Sequence, residues 1–145
     1  MTYNEYWQVI DAGLTPEDLV VFKYEDEGIS TLEDGLYTTE ENLADPEMSE
    51  KLVRFVRASM KGWKYAEANP DEAAEIVLEN DQTGAQTEKH QKRMMGEIAK
   101  LTEGSNGALD EAAFDRSAAI TMEGGMITKA PEGAWTHEIT DEALK

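Results

Sequence analysis

Leu19–Tyr24, LVVFKY, is the segment that most constrains the fold. Its two valines, phenylalanine and tyrosine give it strand character. A strand needs partners along its edges. The only other extended stretch follows at once: residues 28–41, GISTLEDGLYTTEE, read as extended chain and turns with a short strand at Leu36 and Tyr37. Two such pieces make a poor sheet on their own. The missing partners are therefore expected in a second copy or in sequence outside this chain.

The remainder reads as helix. NEYWQVIDAG predicts a short helix capped by Asn4 and ended at Gly13. Asp45-Pro46 starts a longer one, with Met48, Leu52, Phe55, Val56, Met60 and Trp63 recurring on one face to about Ala68. Asn69-Pro70 stops it and opens the next, over DEAAEIVLEN. A third long helix spans about Gln86 to Glu103, with Met94, Met95, Ile98 and Leu101 on one face and Gly104 behind. A fourth runs from about Asp110 to Glu123, and the ITDEALK tail makes a last short one. Met94, Met95, Phe55, Trp63 and Tyr65 are the expected core.

Charge excludes several functions. The formal net charge is −18 over 145 residues. Phosphate binding needs a basic footprint, so neither nucleic acid nor an anionic membrane surface is an expected partner. There is no cysteine, hence no disulfide, thiolate metal site or cysteine nucleophile. No apolar run approaches the roughly 18 residues of a membrane span.

Few residues suggest chemistry. Tyr3, Asn4 and Glu5 combine a ring face, an amide and an acceptor-only carboxylate, a set that suits a small flat nitrogen-rich ligand. The plainer reading is a helix start with a favourable first-turn carboxylate. Lys51, Arg54, Arg57, Lys61 and Lys64 form a basic stripe, read as a solvated face paired with neighbouring carboxylates. The acidic groups Glu25-Asp26-Glu27, Glu40-Glu41 and Glu79/Asp81 lack the alternating calcium-loop pattern, and no metal or cofactor is expected. His90 and His137 form no H-E-x-x-H and no triad, and His90 is expected at the surface. No catalytic residue is assigned.

The order MTYNEYWQVIDAG, VVFKYEDEG, LEDGLYTTEENL and KLVRFVRASMKGWKYAEANPDEAAEIVLE resembles the C-terminal part of NMT1/THI5-like solute-binding proteins of ABC importers. The resemblance implies an α/β fold: a fragment of a periplasmic-binding-protein type II clamshell, mostly helical with a few N-terminal strands. Residues 1–27 would end the second lobe and form a crossover, and residues 28–145 would return into the first. The N-terminal lobe would be absent, and the chain would open at the ligand cleft. Tyr3, Asn4 and Glu5 would then contact the ligand, with Glu5 accepting from its amino group. Glu25 and Asp26 would lie at the hinge.

The implied partners are a small molecule, such as a thiamine-precursor pyrimidine, and an ABC permease. The implied location is periplasmic or extracellular. Related fungal pyrimidine synthases use a cysteine-rich segment and a sacrificial histidine of the first lobe, so no enzyme is expected here. The alternative is a free-standing acidic helical interaction module that homodimerises through LVVFKY.

Overall fold

A computed structural model describes all 145 residues, and every regular element in it is helical. The order is α1 (Glu5–Asp11), α2 (Glu40–Ala44), α3 (Pro46–Ala68), α4 (Pro70–Asn80), α5 (Glu88–Thr102), α6 (Glu111–Glu123) and α7 (Glu138–Ala143), with a single 3-10 turn at Pro16–Asp18.

The absence of any strand corrects the expected α/β clamshell fragment. Leu19–Lys23 is irregular chain and residues 24–28 are turn. Val20, Phe22 and Tyr24 are 83%, 76% and 74% exposed. The segment around Leu36 and Tyr37 is irregular and exposed as well. The physical reason lies in the nature of strand propensity. It expresses packing against cross-strand neighbours, and here no neighbour exists. Residues of strand type without a ladder stay as open chain.

The helices follow their sequence signals closely. Pro46 and Pro70 occupy first-turn positions, where a missing N–H costs nothing. Thr39, Thr87 and Asp110 cap α2, α5 and α6, accepting from the backbone N–H of Asn42, His90 and Ala113. Gly13, at φ 106°, takes the left-handed turn after α1 that a side chain would resist. Helix α2 was not anticipated; five residues carry too little periodicity to announce themselves.

The chain forms two compact units. The first comprises Met1–Val20 and Ser59–Ser105, which hold α1, the C-terminal end of α3, α4 and α5. Its core is Ala73 and Ala74 of α4 against Met95 of α5, with Ala66 and Ile98 packed alongside. The second comprises Val21–Ala58 and Asn106–Lys145. In it Val53 and Ala143 are buried. Phe114, Trp135 and His137 make a ring series at 6.4 and 4.8 Å, and the His137 ring meets the Leu109 carbonyl at 2.8 Å. The Arg57 guanidinium donates to the carbonyls of Ala143 and Glu142, both at 3.0 Å, which terminates α7.

The expected core is only partly realised. Met95 is buried and Met94 half-buried, whereas Phe55, Trp63 and Tyr65 are exposed. On α3 the inward residue is Val53, flanked by half-buried Leu52, Val56 and Met60. The periodicity found the correct helix but placed its stripe too wide.

Burial ranks the consequences of truncation. Met95→Ala is expected to cost about 2–3 kcal/mol, since Met95 is 8% exposed beside two alanines that cannot refill the space. Phe22→Ala is expected to change stability by less than about 0.5 kcal/mol. Urea unfolding followed by circular dichroism compares the two.

Candidate functional site

Helix α1 buries none of its residues, so polar contacts hold it to α5. Asn4 occupies the cap position but makes no side-chain cap bond. Its Oδ1 instead meets His90 Nε2 at 2.8 Å and accepts from Gln8 Nε2 at 3.0 Å. Three residues on, the Trp7 ring lies under the Arg93 guanidinium, 4.7 Å from its centroid. Four further on, Asp11 accepts from Lys89 Nζ at 2.7 Å and from Arg93 at 3.0 Å. Positions 4, 7 and 11 share one face of a helix, which is why one short element can engage α5 three times.

His90 is 7% exposed, which corrects the surface position expected for it. Its neighbours in sequence are polar, but α5 turns it toward α1. Its Nδ1 and the Trp7 Nε1–H are buried without a hydrogen-bond partner. The adjacent Gln91, 3% exposed, donates to Gln86 Oε1 at 2.8 Å.

Of the three residues expected to bind ligand, Tyr3 and Asn4 are half-buried and Glu5 is exposed. Glu5 pairs with the N-terminal ammonium at 2.9 Å, and that bond, with a backbone hydrogen bond, lowers its pKa. Glu25 and Asp26 belong to the other unit. They are exposed, in a turn where the Ile29 N–H donates to the Tyr24 carbonyl at 2.8 Å and Gly28 takes φ 78°. Within the basic stripe on α3, Lys51 pairs with Glu47 and Arg54 with Glu50, while Arg57 reaches the end of α7. No group of three or more acidic or histidine side chains is placed to hold a metal ion.

Two hollows open elsewhere. One of about 450 Å³ is lined by Ile76, Val77, Asn80, Asp81, Gln86 and Gln91. The other, about 530 Å³, lies against the start of α3 and includes Arg54, Arg57 and Glu142. Neither is lined by Tyr3, Asn4 or Glu5.

The sequence profile of NMT1/THI5-like proteins matches residues 1–73, half of the chain. The chain belongs to the NMT1/THI5-like family. That match contains Tyr3, Asn4, Glu5, Glu25, Asp26 and the whole of α3. NMT1/THI5-like proteins are typically solute-binding proteins, although THI5 itself is a pyrimidine synthase. No curated protein and no solved structure gives a match. No helix of this family member is long and apolar enough to cross a membrane.

Sequence reasoning did not anticipate His90, Trp7, Asp11 and Arg93 as one group. The spacing of Asn4, Trp7 and Asp11 was available as a signal for one face. Their partners lie some eighty residues away, and nothing local points to them.

The Asp11 clamp gives a pH prediction. Lys89 first and then Arg93 hold the Asp11 carboxyl below its ordinary value of 3.8. A carboxylate with a depressed folded-state pKa stabilises the fold fully above its unfolded value. The contribution is lost as pH falls from about 3.8 through the lower folded value. Asp11→Asn should therefore lower stability by a constant amount above about pH 3.8 and converge with wild type below it, which flattens the acid limb, as read by thermal unfolding across pH.

Proposed function

We propose that this chain is the C-terminal portion of the solute-binding component of an ABC importer. The observation that carries the reading is the family match over residues 1–73, which includes the Tyr3-Asn4-Glu5 run. In the parent protein, residues 1–27 end the second lobe and cross over, and residues 28–145 return toward the first. Tyr3, Asn4 and Glu5 face a small ligand such as a thiamine-precursor pyrimidine. The tyrosine supplies a ring face, Asn4 an amide, and Glu5 a carboxylate for the ligand's amino group. Glu25 and Asp26 form part of the hinge, and the Gly28 turn beside them can absorb a change in backbone direction.

The action is mechanical rather than catalytic. Ligand bridges the lobes, the closed population rises, and the closed form docks on the permease. The setting is periplasmic or extracellular.

Exposed apolar surface supports an incomplete assembly. Val20, Phe22 and Tyr24 expose large apolar side chains along one segment. The same observation favours a second reading, an acidic helical module that homodimerises through this segment. A dimer mass in solution, lost on Phe22→Lys, would support the second reading; a monomer would remove it.

The primary reading is tested by thermal shift of the parent protein with pyrimidines, sulfonates, taurine and nitrate. An aminopyrimidine is expected to raise the melting temperature. Glu5→Gln should weaken its binding about 10-fold or more, because a charge-assisted hydrogen bond is lost. No shift with any of these ligands would sink the reading.

A further inference from the structure

The contact between Asn4 and His90 carries information about the ligand. The carbonyl oxygen of an asparagine side chain has two lone pairs. Here both are used, one by Gln8 Nε2 at 3.0 Å and one by His90 Nε2 at 2.8 Å. Gln8 donates, so the oxygen of Asn4 faces both partners and His90 must donate from Nε2. A ring that carries its proton on Nε2 alone leaves Nδ1 as a bare acceptor. Nδ1 is indeed buried with no partner.

A buried polar atom without a partner is costly to a fold. The opposite tautomer would trade the Asn4 bond for nothing, because no acceptor meets Nδ1. The fold bears the cost at Nδ1 and keeps the bond at Nε2. An unsatisfied group in a native structure marks a place where something other than stability is served.

We propose that His90 is the positioning residue that makes Asn4 a donor-only group and thereby sets ligand specificity at the Tyr3-Asn4-Glu5 site. This rests on the solute-binding reading given above. With its oxygen held by Gln8 and His90, Asn4 has only its two Nδ2 hydrogens to offer. Glu5, the next residue, is acceptor-only when ionised. A donor beside an acceptor selects a ligand edge with an acceptor beside a donor. The ring nitrogen and amino group of an aminopyrimidine form such an edge. An amidinium presents donors on both sides and meets the Asn4 N–H head-on. Without the lock, Asn4 could turn its oxygen outward and take the amidinium, which the acidic chain would otherwise attract. A site that leaves a buried polar group unpaired against the wrong ligand discriminates strongly.

Two measurements test the proposal. Nitrogen-15 NMR of the wild-type chain reads the His90 tautomer without any ligand. The Nε2–H form is expected, and the Nδ1–H form would overturn the assignment. Calorimetric titration with 4-amino-2-methylpyrimidine and with benzamidine then reads the preference of wild type, His90→Gln and His90→Phe. Glutamine keeps an N–H donor at the end of the side chain and should retain the wild-type preference. Phenylalanine should lower the preference for the aminopyrimidine about tenfold, the equivalent of about 1.4 kcal/mol. An unchanged preference in His90→Phe, or an equal loss in both variants, overturns the proposal. Wild type that binds neither probe counts against the ligand reading alone, and the tautomer still decides whether His90 positions Asn4.

Discussion

The place of α1 in the first unit depends on an electrostatic seam rather than on burial. Helix α1 has seven residues and none is buried. A helix that short is not stable by propensity. What fixes it is Asp11 between Lys89 and Arg93, Arg93 over Trp7, and Asn4 on His90. These contacts are directional, so they set the rotation of α1 as well as its attachment. An apolar stripe of the same length would have held the helix but left its rotation loose. The candidate ligand residues sit at the start of this helix and inherit their orientation from the seam.

The same seam explains how so acidic a chain concentrates its few cations. With 13 basic residues against 31 acidic ones, each cation has a choice of partners. Five pair with a neighbour three or four positions away, as Lys51 does with Glu47 and Lys100 with Glu97. Such exposed pairs add little stability. Lys89 and Arg93 reach across sequence to the half-shielded Asp11, where screening by water is weaker. Lys92, on the same helix, pairs with Glu88 and reaches Glu75 of α4. Helix α5 thus collects the long-range ion pairs of its unit and also supplies Met95 to the core.

Most of the helical architecture was legible. Prolines at 46 and 70, Asp110 as a cap and glycine at 104 are local signals, and each acts through its immediate neighbours. The failures share one cause, which is that burial and pairing are not local. LVVFKY carries strand propensity, but a strand exists only with a partner, and the chain offers none. Phe55 and Trp63 fit a helical stripe, yet both stay exposed because no other element packs over them. His90 looks exposed among polar neighbours because its environment comes from Asn4, eighty-six positions away. For the candidate site, Tyr3, Asn4 and Glu5 were expected from the sequence; His90, whose ring meets Asn4, was not.

Asn4 shows how one side chain is divided between fold and function. At a helix start its oxygen would ordinarily accept from the first-turn backbone N–H groups, for a gain of about 1 kcal/mol. Here that bond is not made, and the backbone at Asn4, with φ −128° and ψ −83°, lies outside the usual cap geometry. The oxygen is spent on a distant helix instead. The local rule is broken at the residue that both the ligand reading and the family match include. Natural sequences tend to break local rules where a site needs a particular group presented in one orientation. A capped Asn4 would have its oxygen bound to its own helix and would owe nothing to α5. Held by His90, the amide ties the start of α1 to α5 instead of to its own helix.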